Sequence, residues 1–273
     1  MSMRLKGKTA IIIGAGQVAG EGVGNGRATA IRFAEEGAMV MAVDRNLAAA
    51  EETARIAGKS GTDCFALEAD VTKEDTLAAA ITNAHKRWGH IDILHYNVGV
   101  NLQSGDRELL DITEEIFDRI SAINLRGAIM ACKHVVPIMR QQGYGVISTI
   151  SSMAALGKYP TVGYKVTKAA LISFTQQVAI QNAEFGIRAN VILPGVIDTP
   201  HSAEITGIRA QLTGKNAAEL AAGRDRLVPL RHKMGTAWDV ANAVLFLDSD
   251  EANFITGVAL PVDGGSSINI VLR

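Results

Sequence analysis

Short runs of aliphatic residues alternate along the chain with longer segments in which apolar positions recur at helical spacing. The runs TAIIIG, AMVMAVD, CFALEAD, IDILHYN, GVISTI, RANVILPG and GVALPVDGG predict strands, and the segments between them predict amphipathic helices. Strands that are apolar on both faces belong in a parallel sheet covered by helices on each side. Right-handed crossovers then predict a doubly wound parallel sheet in a three-layer α/β/α sandwich.

The same pattern predicts a single domain over residues 1–273. No Pro- or Ser-rich linker, internal repeat or low-complexity tract interrupts it. The least regular part is a polar, alanine-rich stretch at about 199–236. We expect this stretch to be a loop-helix insertion that covers the substrate.

Composition narrows the set of partners. The chain has 27 Lys and Arg against 28 Asp and Glu, which gives no electrostatic reason to expect nucleic acid or an anionic membrane. The apolar run near the N-terminus is too short for a signal peptide, and no apolar stretch has membrane-spanning length. Cys64 and Cys132 form no CxxC pair, so a reducing, cytoplasmic location is expected.

A glycine-rich stretch, IIIGAGQVAGEGVGNGRATA, follows the first predicted strand and fits three phosphate-loop registers. Two of them, GAGQVA and GQVAGEG, would start a helix that then contains several glycines, each costing about 1 kcal/mol relative to alanine. The third register uses Gly14, Gly24 and Gly26 and treats residues 18–23 as an insertion. We favour it, and we expect a phosphate at the helix N-terminus beside Asn25 and Gly26.

An acidic residue, Asp44, ends the second predicted strand. A carboxylate at that position accepts hydrogen bonds from both ribose hydroxyls of an adenosine and repels a 2′-phosphate. Together with the glycine loop it predicts a Rossmann-type dinucleotide site that prefers NAD over NADP. Arg45 follows directly and is expected to stack on the adenine or face solvent, although it is also able to pair with a 2′-phosphate.

Further motifs follow in a fixed order: ADV, YNVG, AINL, ISSMAA, YKVTK, RANVILPGVIDTP and ITGVALPVDGG. In this order and strand context the chain resembles the classical short-chain dehydrogenase/reductase family nearly from end to end. Three departures stand out. Ile13 replaces the usual Thr before the first glycine, Tyr96 and Val98 flank Asn97 in place of the usual residues, and about six residues, 18–23, are additional.

The resemblance implies a catalytic set of Asn124, Ser152, Tyr164 and Lys168. Hydride transfer between an alcohol and nicotinamide needs an acid or base for the hydroxyl proton, a role that falls to Tyr164. Lys168 lies on the same helical face and is expected to lower the pKa of Tyr164 and to hold the nicotinamide ribose. Ser152 would bind the substrate oxygen, with Ser151 as its rival, and Asn124 would kink its helix and carry a water relay to Lys168.

The same resemblance implies cofactor contacts beyond the glycine loop. Asn97 and Gly99 are expected under the adenosine ribose. Asp70 and Val71 are expected to flank the adenine, although Asp70 is equally suited to cap the helix that follows it.

The motif PGVIDT supplies the contacts expected for the nicotinamide carboxamide, from the backbone at Val196 and the hydroxyl of Thr199. His201 nearby lies in the expected substrate loop, where it could contact substrate, although solvent exposure is the expectation we favour. The histidines at 85, 90 and 95 are spaced five apart, which does not place metal ligands on one helical face. The chain has no G-x-S-x-G hydrolase motif either, so no metal site and no hydrolase are predicted.

These features together predict an NAD-dependent dehydrogenase that acts on a secondary alcohol or its ketone. Two alternatives stay open: an NADPH-dependent 3-oxoacyl-carrier-protein reductase, and a dinucleotide-binding sensor without turnover. The resemblance also implies a homotetramer, and the C-terminal INIVLR suggests buried subunit contacts. The insertion shows no clear charge preference, so a bulky apolar or cyclic alcohol is the expected small-molecule substrate.

Overall fold

The computed structural model describes residues 3–269. Nine strands are β1 (Thr9–Ile13), β2 (Met39–Asp44), β3 (Cys64–Glu68), β4 (Ile93–Tyr96), β5 (Gly145–Ile150), β6 (Ile187–Pro194), β7 (Ile197–Asp198), β8 (Gly235–Thr236) and β9 (Ala259–Val262). Seven of them form one parallel sheet in the order β3-β2-β1-β4-β5-β6-β9. The short strands β7 and β8 pair with each other outside it.

Helices connect these strands and cover both faces of the sheet. They are α1 (Asn25–Glu35), α2 (Leu47–Ala57), α3 (Glu74–Trp88), α4 (Glu114–Ser121), α5 (Gly127–Gln142), α6 (Val162–Asn182), α7 (Pro200–Thr213), α8 (Ala217–Asp225) and α9 (Ala237–Asp248). One buried core joins α1, α2 and α9 to the sheet, and the other joins α3, α5 and α6. This is the doubly wound, three-layer fold that the sequence predicts.

The run of aliphatic residues in β1 explains why both faces are covered. Ala10 and Ile12 point into the core under α1, α2 and α9, whereas Ile11 and Ile13 point into the core under α3, α5 and α6. Successive side chains of a strand point to opposite faces, so an unbroken apolar strand requires apolar partners on both sides. All five residues of β1 are buried.

The segment after β4 differs from the single long helix that the pattern predicts. A π-helical turn, Ala122–Arg126, separates α4 from α5. Such single π turns insert one residue into the helical ladder and bend its axis, often at functional sites. The turn contains Asn124, the position at which the kink is expected.

The predicted insertion at 199–236 folds into α7, α8 and the short strand β8, and β8 and its pairing with β7 have no clear signal in the sequence. Residues 270–273, most of the INIVLR segment for which subunit contacts are expected, lie outside the described residues. Among residues 3–269, no helix combines the length and the apolar character needed to cross a membrane.

Candidate active site

The glycine loop leads into α1 as the third register predicts. Gly14 directly follows β1 with φ +83°, a left-handed conformation that favours glycine. Gly24 is the N-cap of α1 and has no side-chain cap. A Cβ on Gly26 would overlap the Gly14 carbonyl oxygen and come within 2.7 Å of the Asn97 amide nitrogen. The first turn of α1 therefore offers free backbone N–H groups beside Asn25, and a phosphate bound there remains a prediction.

The additional residues of the loop form a closed excursion held by Gln17, a residue that sequence reasoning missed. Its side chain donates to the Gly22 carbonyl at 3.1 Å and accepts from the Gly24 N–H at 2.9 Å. Residues 18–23 thus loop out while the Gln17 side chain holds Gly22 and Gly24. Within this excursion Gly20 has φ +145°, and a Cβ there would make a tight contact, 3.2 Å, with the Pro200 Cβ.

Asp44 lies at the C-terminal end of β2 and faces the glycine loop. One carboxylate oxygen accepts from the Gly16 N–H and the other from the Asn46 N–H, both at 3.0 Å. A Cβ on Gly16 would lie 2.6 Å from this carboxylate, which explains a glycine that the preferred register left without a role. Each carboxylate oxygen keeps acceptor capacity for a ribose hydroxyl.

A cleft of about 460 Å³ extends from Asp44 along the ends of β1, β3 and β4. Its lining includes seven predicted cofactor residues: Gly14, Asp44, Arg45, Asp70, Val71, Asn97 and Gly99. Asp70 does not cap α3, whose N-cap is Lys73 without a side-chain cap; its carboxylate accepts from the backbone and hydroxyl of Thr72, and these bonds lower the pKa of its carboxyl. Asn97 donates to the Gly14 carbonyl at 3.0 Å and so braces the glycine loop.

Tyr164 and Lys168 lie in the first turns of α6 and face the same space. The Lys168 Nζ is 5.8 Å from the Tyr164 ring centroid and donates to the carbonyls of Ile150 at 2.7 Å and Val98 at 3.3 Å. Burial lowers the pKa of Lys168 to about 7. The expected lowering of the Tyr164 pKa is not found in the cofactor-free protein, because burial raises that pKa and outweighs the opposing contact with Ser152.

The structure gives Ser151 and Ser152 different hydrogen bonds. The Ser151 hydroxyl is buried and donates to the Lys168 carbonyl at 2.7 Å, which fixes α6 to the end of β5. Both serines line the cavity that Tyr164 also lines, and Ser152 accepts from the Ala154 N–H at 3.1 Å. The Ser151 hydroxyl therefore makes a structural hydrogen bond, whereas the Ser152 hydroxyl contacts Tyr164, the predicted acid/base.

Asn124 lies in the π turn and is hydrogen-bonded to two other segments, at Val100 and Thr167. Its amide accepts from the Val100 N–H at 2.8 Å, and it donates to the Val100 carbonyl and the Thr167 hydroxyl, both at 3.0 Å. The Tyr96 hydroxyl donates to the Ile123 carbonyl at 2.6 Å, so the unusual tyrosine of YNVG supports this turn. Asn124 makes no direct bond to Lys168, and the water relay stays a prediction.

Asp106 is a second residue that sequence reasoning missed. It is fully buried, and its carboxylate accepts from the N–H groups of Gly163 at 2.9 Å and Tyr164 at 2.8 Å. Thr161, the N-cap of α6, makes no side-chain cap, so a carboxylate from a distant loop caps the helix instead. A negative charge at this end also complements the helix dipole. Asp106 thereby fixes the backbone that carries Tyr164.

Two further spaces continue the cleft along the sheet edge. One, of about 170 Å³, lies between the glycine loop and Lys168, and the other, of about 340 Å³, lies between Ser152 and the insertion. Thr199 lines both spaces while its hydroxyl caps α7 by accepting from the Ser202 N–H at 3.2 Å, and Val196 lines the larger one. His201 also lines both, while its side chain keeps 40% of its surface exposed to solvent.

The three spaces share lining residues and form one trough along the carboxyl ends of the strands, the usual ligand position in doubly wound folds. Its features fit a dinucleotide. A Cβ on Gly16 would clash with the Asp44 carboxylate, and a Cβ on Gly26 would clash with the Gly14 carbonyl. The buried Asn25 Oδ1 has no hydrogen-bond partner among residues 3–269. Asp44 marks one end of the trough and Tyr164 the other.

A family model described as enoyl-(acyl carrier protein) reductase matches residues 19–267. The 2-(R)-hydroxypropyl-CoM dehydrogenase of Xanthobacter autotrophicus is 36% identical over 249 residues, which is 90% of this chain and 96% of that protein. The chain belongs to the short-chain dehydrogenase/reductase family. Members of this family are oxidoreductases that bind a nicotinamide dinucleotide, and the order of motifs in the sequence identified it correctly.

Solved structures of the family superimpose closely on this chain. Levodione reductase has a TM-score of 0.90 at 30% identity, covering 98% of this chain and 100% of its own. An NAD⁺-bound xylitol dehydrogenase has a TM-score of 0.88 at 30% identity, covering 96% and 100%. The fold is therefore that of this oxidoreductase family.

Proposed function

We propose that this chain is an NAD-dependent oxidoreductase that transfers a hydride between nicotinamide and a secondary alcohol or its ketone. The observation that carries the proposal is the continuous trough from Asp44, at the adenosine end, to Ser152 and Tyr164, at the reacting end. The dehydrogenase names of the relatives support the same reaction class.

The chain's own residues account for the proton. In the reductive direction the Tyr164 hydroxyl donates a proton to the substrate oxygen, and in the oxidative direction its phenolate accepts one. The Ser152 hydroxyl, beside it in the cavity, holds the substrate oxygen and stabilises its developing charge. A bound nicotinamide would supply or accept the hydride, and its oxidised ring would add a positive charge.

Lys168 has two tasks in this proposal. Its Nζ, 5.8 Å from the Tyr164 ring, favours the phenolate by Coulomb attraction. It also lines the space between the glycine loop and Tyr164, which we assign to the nicotinamide ribose. Asn124, bonded to Thr167, and Asp106, bonded to the Tyr164 N–H, position the first turns of α6 without touching the reacting atoms.

The preference for NAD follows from Asp44. Its carboxylate lines the adenosine cleft, where it would bind ribose hydroxyls and repel a 2′-phosphate. The same residue argues against the NADPH-dependent 3-oxoacyl-carrier-protein reductase reaction, although a curated relative of Thermotoga maritima with that name is 33% identical over 268 residues. Arg45 also lines the cleft. The Arg27 side chain instead donates hydrogen bonds to the Thr53 hydroxyl and the Ala49 carbonyl.

Titration with NADH and NADPH, followed by nicotinamide fluorescence, tests the cofactor. We expect NADH to bind at least about tenfold more tightly than NADPH. Asp44→Asn should reduce this difference in affinity, because it removes the charge that repels the 2′-phosphate. Glu68→Gln is the matched control, because Glu68 pairs with Asp44 at the end of the next strand and does not line the cleft. Tighter NADPH binding by the wild type would overturn the assignment of Asp44.

Turnover tests the chemistry. Tyr164→Phe is expected to keep NADH binding and to lower turnover of a secondary alcohol or ketone by about 10²–10⁴-fold. Tyr144→Phe, which changes a tyrosine bonded to Asp250 far from the trough, is the control. A Tyr164→Phe variant with normal turnover would favour the non-catalytic sensor.

We also propose a cytoplasmic homotetramer. Light scattering would check the oligomeric state, and cell fractionation would check the location.

A further inference from the structure

The substrate cavity carries an uneven charge. Its lining includes Arg209, Arg224 and His201, and no aspartate or glutamate among residues 3–269 lines it. A concave site with one sign of charge attracts ligands of the opposite sign. The sequence of the insertion shows no such preference, because α7 and α8 bring the two arginines together only in the fold.

Arg224 is already engaged. It donates to the carbonyls of Ser202 at 3.2 Å and Ile197 at 3.3 Å and to the Thr206 hydroxyl at 3.2 Å. It therefore ties α8 to α7 and β7. Burial lowers the pKa of Arg224, and Arg209 adds to that effect, while Asp198 and Asp225 oppose it from outside the cavity.

Arg209 is different. Within residues 3–269 its side chain has no hydrogen-bond or ion-pair partner, and it lines the cavity together with Tyr159, whose raised pKa it partly lowers. The Tyr159 ring lies 5.4 Å from the ring of Tyr164. The one carboxylate nearby on α7, Glu204, lies 3.8 Å from His201 and does not line the cavity. One cation of the cavity wall thus stays uncompensated, within reach of the reacting end.

We propose that Arg209 forms a carboxylate-binding subsite, so that the substrates are secondary alcohols or ketones that carry a carboxylate away from the reacting carbon. The planar guanidinium matches a carboxylate in a bidentate geometry, and one unpaired positive charge matches a monoanion. The inference rests on the proposed function. The carboxylate takes no part in the bond changes: the ketone carbon gains hydride from the nicotinamide and its oxygen gains a proton from Tyr164.

Matched substrates test the subsite. The probes are 4-oxopentanoate, 5-oxohexanoate and 6-oxoheptanoate, each compared with its methyl ester while NADH oxidation is followed. The wild type is expected to prefer at least one acid over its ester by about tenfold in kcat/KM, a modest factor because Arg209 is exposed to water. Arg209→Gln is expected to remove this preference through KM and to leave the esters unchanged.

The control variant is Arg226→Gln, which removes an exposed arginine close to α8 that does not line the cavity. It should keep the preference, and both variants should keep the wild-type melting temperature. A wild type that handles every acid and its ester equally would overturn the subsite. So would a preference that survives in Arg209→Gln or disappears in Arg226→Gln.

A binding measurement separates this inference from the proposed reaction. Calorimetry on Tyr164→Phe loaded with NADH compares each keto acid with its ester, before and after Arg209→Gln. Tighter binding of the acid that Arg209→Gln abolishes, with no turnover by the wild type, would support the subsite and contradict the proposed reaction. Turnover of esters and acids alike, with equal binding, would support the reaction and contradict the subsite.

Discussion

The floor and the roof of the trough are built in different ways. The floor rests on Asn124, Ser151 and Lys168, all nearly inaccessible to solvent and each bonded to the backbone of another segment. The roof is the insertion at 199–236, where most side chains are partly or fully exposed. Buried polar groups are costly unless every partner is in place. The floor therefore tolerates little change, whereas the roof is free to vary with the substrate.

This contrast assigns chemistry and specificity to separate parts of one fold. The residues proposed to move the proton are placed by the sheet, by α6 and by the π turn. The charge proposed to select the substrate, on Arg209, belongs to a helix that rests on the surface of that frame. Substitutions in the floor should lower kcat and stability together, and substitutions in the roof should change KM alone.

Replacing Lys168 tests the floor most severely. Lys168→Met is expected to lower kcat by about 10²–10³-fold, because the ammonium no longer favours the Tyr164 phenolate. Rapid-mixing or steady-state kinetics at saturating NAD would measure it. Lys158→Met, at an exposed site, is the control. A loss smaller than about tenfold would show that the ammonium is dispensable.

Lys168 also predicts a pH dependence of stability. Burial lowers its pKa in the folded, cofactor-free protein to about 7, below the ordinary value of 10.5. Between these values the unfolded chain binds more protons than the folded one, so the wild type becomes more stable as pH rises, by at most about 1.4 kcal/mol per pH unit. Chemical denaturation from pH 7 to 10 should show this slope, and Lys168→Met should lack it. An unchanged slope in the variant would contradict the assignment.

Asp106→Ala tests the carboxylate that caps the start of α6. It leaves the N–H groups of Gly163 and Tyr164 without their acceptor and is expected to cost about 2 kcal/mol of stability. We also expect kcat to fall about tenfold while the pH profile of kcat shifts, because the Tyr164 backbone is less well placed. Thr161→Val is the control, since the buried Thr161 hydroxyl has no partner among residues 3–269. A stability loss without any change in kcat would reduce Asp106 to a structural role.

Gln17→Ala tests the clip in the glycine loop. It removes two hydrogen bonds that close the excursion of residues 18–23. NADH affinity should fall about three- to tenfold with little change in global stability. Glu21→Ala, at the exposed tip of the same excursion, should have no effect. If both variants bind NADH like the wild type, the clip does not order the phosphate site.

The smallest effect is expected in the roof. Leu212→Ala changes an apolar side chain that is 58% exposed on α7, and its stability should change by less than about 0.5 kcal/mol. Its kcat should equal that of the wild type. A large loss of stability would mean that α7 packs more tightly than the comparison implies.

The sequence by itself determined the sheet, the order of its helices and the start of α1. Those features follow from local rules: aliphatic runs need cover on both faces, and a helix cannot contain a run of glycines. The motif order likewise identified the family and the candidate set from Asn124 to Lys168.

Only the tertiary structure decided which distant residues serve the site. The Asp106 cap on α6, the support of the π turn by Tyr96 and the closure of the loop by Gln17 are hydrogen bonds between groups that no periodic pattern brings together. The burial that raises the Tyr164 pKa and the meeting of Arg209 with Arg224 are likewise consequences of packing. Local propensity sets the elements, but desolvation and charge depend on what surrounds a side chain once those elements have packed.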